Sequence, residues 1–177
     1  MTKTSRAAVV SAAFLLAVAF TALGASANNT DSAMQPVVKA YLKVQEALAS
    51  DTLAGVQDAA KVVALAAPNL GSTKASHDRA ASCGDLSVPI KAAAERLAKA
   101  SDIGTAREAF KSLSVPVAQW AAATQPADLI VVHCSMAQAR WVQTKGSVRN
   151  PYYGKSMLAC GEVESAAAAD GTYTPPK

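Results

Sequence analysis

The longest regular apolar pattern in the chain runs over residues 106–120. Its members recur at steps of four, three, four and three: Ala106, Phe110, Leu113, Val117 and Trp120. This spacing places them on one face of an amphipathic α-helix. Pro116 lies inside the pattern, removes one backbone hydrogen bond and is expected to bend the helix near Ser112. A chain organised around such a stripe is predicted to be mainly helical.

Three shorter apolar stripes precede this one. They comprise Val37, Tyr41, Val44 and Leu48; then Leu53, Val56, Ala60, Val62 and Val63; then Ile90, Ala94 and Leu97. Ser50, Asp51 and Thr52 are expected to end the first helix and to cap the second. Pro68 is expected to stop the second helix, and residues 69–84 are predicted to form a loop. The short first connection and the many inner alanines favour an antiparallel helical bundle of about four helices.

The N-terminus has the pattern of an export signal. Lys3 and Arg6 precede an apolar run over residues 7–23, and Ala25-Ser26-Ala27 supplies the small residues that signal peptidase recognises. An uncleaved membrane anchor is the alternative. We expect a signal peptide over residues 1–27 with cleavage after Ala27, and a periplasmic or secreted protein with no membrane segment afterwards.

The remaining chain is predicted to hold one domain. Residues 28–35 are polar and expected to be flexible, residues 36–164 form the domain, and residues 165–177 form a disordered tail. Without the signal peptide, 15 basic residues stand against 13 acidic ones, a net charge of +2. No basic cluster interleaves with aromatic residues, so nucleic-acid binding is not predicted. Neither a Gly-x-Ser-x-Gly sequence nor a glycine-rich phosphate loop is present, and we do not expect an enzyme.

The character of the chain changes after Pro126. Residues 129–132 form a short β-branched run, residues 141–143 are a possible second strand, and residues 150–154, with the sequence Asn-Pro-Tyr-Tyr-Gly, predict a turn. We therefore expect a short irregular or β segment at the C-terminus, packed on the helices.

This segment concentrates the soft metal ligands of the chain: His133, Cys134, Met136, Met157 and Cys160. Thiolate and thioether sulfur together with imidazole suit Cu(I) best among the common biological ions. Zinc is less favoured, because the cysteines do not come in Cys-x-x-Cys pairs and methionine is not a usual zinc ligand. The alternative is a disulfide between Cys134 and Cys160, worth about 3.5 kcal/mol by loop entropy. The residues leave both interpretations open.

Cys83 makes the cysteine count odd, which in an exported protein leaves one thiol over. It lies six residues from His77, and the two are candidates for an accessory metal site. A free or intermolecularly paired Cys83 is the other interpretation. The residues assign no role to either side chain.

Three sequence blocks carry a resemblance to a known family. They are Cys134-Ser135-Met136 with Trp141, the Asn-Pro-Tyr-Tyr-Gly sequence after Arg149, and Met157-Leu158-Ala159-Cys160-Gly161-Glu162. This pattern resembles the domain of unknown function 3347 family, over residues 37–163. Such domains occur alone in exported bacterial proteins and fused to adaptor subunits of heavy-metal efflux systems. Ser135 stands where the family often has proline, and Cys83 matches no feature associated with it.

The resemblance implies a helical bundle with the cysteine-bearing segment packed on it. It also implies a link to copper or related metals, with Cys134, Met136, Met157 and Cys160 as the matching positions. The expected function is a periplasmic metal-binding accessory protein that handles Cu(I), with His133 assisting and an efflux-system component as a possible partner. The alternative is a non-catalytic interaction module with a structural Cys134–Cys160 disulfide and a contact surface around Tyr152 and Tyr153.

Overall fold

The computed structural model describes residues 29–72 and 84–164. The expected signal peptide, the expected disordered tail, His77 and Cys83 lie outside the described residues. The described helices are α1 (Asn29–Ala49), α2 (Val56–Ala66), α3 (Pro68–Ser72), α4 (Ser87–Leu97) and α5 (Ile103–Thr124). They are followed by strands β1 (Leu129–Cys134) and β2 (Ala139–Thr144), a short 3-10 turn (Gly154–Met157) and strand β3 (Glu162–Val163). The prediction of a mainly helical protein with a short β segment at its C-terminal end is confirmed.

The four predicted apolar stripes form the core. The predicted members are fully or almost fully buried, with two exceptions. Leu53 precedes α2 and is half-buried, and the prediction for Val62 is wrong, because its neighbour Val63 takes the buried side of α2 and Val62 is 48% exposed. Helix α1 packs against α2 and α5, α2 packs against α4, and α4 packs against α5. In the part of the chain that the structure describes, no helix is both long and apolar enough to span a bilayer.

The helix boundaries differ from the sequence prediction at three places. Helix α1 begins at Asn29, so most of the segment expected to be flexible is helical, and Met34 within it is fully buried. Helix α2 is preceded by Gly55 at a φ of 75° rather than capped by residues 50–52. Pro68 ends α2 as expected but also begins the short helix α3 inside the predicted loop, because proline is well tolerated in a first helical turn.

The C-terminal sheet has the strand order β2-β1-β3, and both pairings are antiparallel. The register pairs Val132 with Trp141 on one side and with Val163 on the other. The sequence predicts β1 and β2 but not β3, because β3 has only two residues, both exposed, and shows no alternation of apolar and polar side chains.

Both faces of this sheet are covered. Side chains alternate along a strand, so Cys134 and Val132 point to one face and His133 to the other. The first face lies against the segment over residues 147–161, where Gly161 contacts Trp141 and Val132. The second face lies against α5, which contributes Lys111 to a cleft that His133 also lines. The sheet therefore separates His133 from Cys134.

Two tyrosine hydroxyls protect the outer edge of β2. Tyr41 on α1 accepts a hydrogen bond from the Val142 amide at 3.1 Å and lies 2.8 Å from the Ser114 hydroxyl. Tyr152 donates to the Arg140 carbonyl at 2.6 Å. Burial raises the pKa of Tyr41 well above 10, so its hydroxyl stays protonated. An edge strand with open amide and carbonyl groups invites pairing with another chain, and these contacts prevent it.

Candidate functional site

The structure brings Cys134 and Cys160 together. Cys134 is the last residue of β1 and is 1% exposed, whereas Cys160 is half-buried. Their Sγ atoms are 3.2 Å apart, and the two residues are present as thiols. The hydrogen bond with the Cys134 thiol raises the pKa of Cys160, and burial adds to this shift. We call these two side chains the thiol pair.

Gly161 allows the chain to bring Cys160 this close. Its φ of +154° is one that L side chains rarely adopt. A Cβ atom there would lie 2.6 Å from Cη2 of Trp141 and 2.8 Å from Cγ1 of Val132, well inside van der Waals contact. The backbone at Gly161 thus lies directly on the sheet, and the next two residues form β3 beside β1.

Asn150 holds the other end of the cysteine-bearing segment. Its side chain is fully buried, and its Nδ2 donates to the Cys160 carbonyl at 2.7 Å. Its Oδ1 accepts hydrogen bonds from the amides of Tyr152 at 2.8 Å and Tyr153 at 3.2 Å, the pattern of an Asx turn. One asparagine therefore forms the turn and fixes the backbone of the second cysteine.

An ion pair on the helical part of the protein binds the backbone of the Asn150 turn. Arg107 on α5 contacts Asp51 at 2.6 Å and donates from Nε to the Pro151 carbonyl at 2.9 Å. The other oxygen of Asp51 accepts the Lys155 amide at 2.9 Å. A Cβ atom at Gly154, whose φ is +56°, would collide with the Asp51 carboxylate and the Arg107 guanidinium, so a side chain there requires this ion pair to move.

A second attachment lies on α1. The guanidinium of Arg149 donates to both carboxylate oxygens of Glu46, at 2.8 and 2.7 Å. The amide of Gln45 donates to the Arg149 carbonyl at 2.7 Å. Such two-pronged contacts fix orientation as well as distance, so the segment that carries Cys160 is attached to both α1 and α5.

The Asp51 contacts predict acid sensitivity. The Lys155 amide and then the Arg107 side chain hold the pKa of Asp51 below its ordinary value of 3.8. The pKa of Asp51 is lower in the folded protein than in the unfolded chain. The stabilisation is therefore fully present above the unfolded pKa and is lost as pH falls through the folded pKa. We expect the urea midpoint of the parent protein to fall more between pH 5 and pH 3 than that of Asp51→Asn. The matched control is Asp58→Asn, whose carboxylate pairs with Lys61 on the α2 surface. Equal pH dependence of the parent and Asp51→Asn would contradict this assignment.

The two predicted methionine ligands lie close in sequence to the cysteines but differ in exposure. Met136 is 62% exposed in the turn after β1, and its carbonyl accepts a hydrogen bond from the Tyr153 hydroxyl at 3.2 Å. Met157 is half-buried at the end of the 3-10 turn, and its carbonyl accepts the Cys160 amide at 3.0 Å. These two hydrogen bonds tie the backbone of each methionine to the segment that carries Cys160.

His133 does not join the thiol pair. It points to the opposite face of the sheet and lines a separate cleft. Within residues 29–72 and 84–164, no group of three or more His, Cys, Asp and Glu side chains is arranged to hold a metal ion.

The sequence alone does not identify several residues that build the site. They are Asp51, Arg107, Asn150, Gly154 and Gly161. Asn150 and Gly154 carried a local signal, because Asn-Pro and a following glycine indicate a turn. The partners Asp51 and Arg107 are 56 residues apart in sequence, and no local pattern connects them.

The helical part of the chain matches a known family model. The family model described as Protein of unknown function (DUF3347) matches residues 37–128. This range begins within α1, includes the other helices and ends just before β1, so the thiol pair lies outside the matched residues. No curated protein and no solved structure matched the chain. The match spans more than half of the chain, and the protein belongs to the DUF3347 family.

Proposed function

We propose that this chain is an exported accessory protein that binds Cu(I) through Cys134 and Cys160. The single observation that carries the proposal is the 3.2 Å separation of the two thiol sulfurs, with one thiol buried and the other half-buried. In this proposal the helices form an antiparallel bundle that holds the cysteine-bearing segment in place.

The donor chemistry fits a soft cation. Two thiolates are ligands that favour Cu(I), and the thioethers of Met157 and Met136 are soft donors close by in the chain. The ligands must lose their protons when metal binds, so binding releases protons from the thiol pair. His133 is not included as a ligand, because it lies on the other face of the sheet. A link to metal efflux is part of the proposal and rests on the family resemblance.

A disulfide-stapled interaction module is the second candidate. It is favoured by the same short distance, because the sulfurs need to approach by only about 1 Å to reach the disulfide bond length of roughly 2 Å. Its expected contact surface has less support. Tyr152 packs against Phe110 and Trp141, and its hydroxyl is bonded to Arg140.

The methionines distinguish the two candidates. We expect Met136→Leu with Met157→Leu to weaken Cu(I) binding about tenfold, a loss of the size seen when the groups supporting a metal site are removed. Since Leu and Met have similar volumes, the free energy of unfolding should change by less than about 1.5 kcal/mol. The measurement is a competition titration against a chromogenic Cu(I) chelator.

Met34→Leu is the control, because this substitution makes the same chemical change away from the thiol pair. Met34 lies in α1 and is fully buried. It should leave Cu(I) affinity unchanged. If the double variant binds Cu(I) like the parent, the methionines are packing residues. If the parent itself does not bind Cu(I), the interaction-module candidate replaces this proposal.

A further inference from the structure

The sheet face opposite the thiol pair carries a concave site. It is a cleft of about 270 Å³ between α5 and the sheet, lined by Lys111, Val115, His133, Gln138, Ala139 and Arg140. The lining includes two cationic side chains and an imidazole, and among residues 29–72 and 84–164 no Asp or Glu lines it. We call it the basic cleft.

The two cations are fixed in place by neighbouring groups. The Lys111 ammonium donates to the Ala137 carbonyl at 2.8 Å, which uses one of its three N–H donors. Arg140 pairs through Nη2 with Glu164. The Nε atom of Arg140 and the Oε1 atom of Glu164 are both buried without a hydrogen-bond partner among the described residues, and buried unpaired groups of this kind are costly. An acceptor entering the cleft would satisfy the Arg140 donor.

The turn that forms one wall of the cleft has an unusual backbone. Gln138 has a φ of +46°, a left-handed conformation that costs a residue other than glycine about 1 kcal/mol or more. This turn places the Ala137 carbonyl at Lys111 and brings Gln138, with its amide group, into the lining. A left-handed residue is a common end of a hairpin loop built around a type I turn, and here the Gln138 amide donates to the Ser135 carbonyl at 3.2 Å.

We propose that the basic cleft binds a small oxyanion of the phosphate type. Arginine and lysine are the side chains that recognise phosphate oxygens, and His133 and Gln138 add further N–H donors. A volume of 270 Å³ is just below the range of about 300–1,000 Å³ typical of drug-sized ligand sites. The cleft therefore suits free phosphate or a small phosphate monoester rather than a nucleotide.

The nearby acidic groups do not fill the cleft. Glu164 pairs with Arg140 through one of its two oxygens, and Glu162, the cross-strand neighbour of His133 on the same sheet face, is exposed to solvent. The sheet separates the cleft from Cys134, so this proposal does not depend on the proposed Cu(I) function.

The test is an NMR titration of the full mature chain with inorganic phosphate, repeated with glycerol phosphate and with sodium chloride at matched ionic strength. We expect saturable shifts confined to residues 138–140 and to α5 near Lys111. In Lys111→Met and in His133→Gln, phosphate affinity should fall about tenfold. Either phosphate source giving this pattern supports the proposal, and the pair of titrations shows whether a monoester is accommodated.

The matched control is Lys91→Met, which removes a lysine that pairs with Glu95 on the α4 surface. It should bind phosphate like the parent. Equal shifts with sodium chloride, no saturation with either phosphate, or unchanged affinity in Lys111→Met and His133→Gln would each overturn the proposal. Melting temperatures of the variants show that any loss is not due to unfolding.

Discussion

Gly161→Ala is expected to lower the free energy of unfolding by about 3 kcal/mol and to weaken Cu(I) binding. The added Cβ atom meets Trp141 and Val132 at 2.6 and 2.8 Å, and the φ of +154° is strained for alanine. Overpacking and backbone strain each cost about 1–3 kcal/mol. Relief requires the backbone to leave the sheet, and Cys160, the preceding residue, moves away from Cys134 with it. Urea denaturation and Cu(I) competition measure the two effects.

Gly146→Ala separates the cost of backbone strain from the cost of the steric clash. Gly146 has a similar φ of +139°, but a Cβ atom there meets nothing within 4 Å. This control therefore carries the backbone strain without the clash, and it should cost less stability and leave Cu(I) affinity unchanged. If the two alanine variants lose equal stability, close packing on Trp141 is not what fixes the position of Cys160.

Replacement of either member of the thiol pair is expected to have the largest effect on binding. Removing groups that only support a metal ligand already costs about 10–100-fold in affinity. Losing one of two thiolate ligands should therefore weaken Cu(I) binding by about 100-fold or more in Cys134→Ser and in Cys160→Ser. Competition titration under anaerobic conditions measures it.

The two serine variants should differ in stability. Cys134 is 1% exposed, so Cys134→Ser buries a hydroxyl where the thiol packed, and it should destabilise the reduced protein more than Cys160→Ser. Cys83→Ser is the control for both and should retain Cu(I) affinity. Retained affinity in Cys160→Ser, or a loss in Cys83→Ser equal to that in Cys134→Ser, would show that the proposed ligand pair is not the binding site.

The helical part of the fold could be predicted because its signal is local. Heptad-like spacing over residues 106–120 and 37–48 reports which side of each helix is buried, and these stripes form the core. The helix ends were less predictable. Asp51 had the chemistry of a helix cap, but its carboxylate is used by Lys155 and Arg107, which approach from distant parts of the chain.

The site could be predicted only in part, for a related reason. Composition marks the segment that holds Cys134 and Cys160, but their contact depends on Gly161, Asn150 and a two-residue strand without apolar alternation. Adjacency in sequence suggests that His133 and Cys134 belong to one site. Adjacent side chains on a strand point to opposite faces of the sheet. His133 and Cys134 could share one site only if this segment were not a strand.

The measurement that tests the central claim most directly is the mass of the mature protein after alkylation. The protein is extracted anaerobically without reductant, divided, and alkylated with and without bound Cu(I), in native buffer and in denaturant after metal removal. We predict three alkyl groups per chain in denaturant, and protection of the half-buried Cys160 by Cu(I) in native buffer. A single alkyl group, on Cys83, in denaturant would mean that Cys134 and Cys160 are joined in a disulfide, which would contradict the metal-binding account.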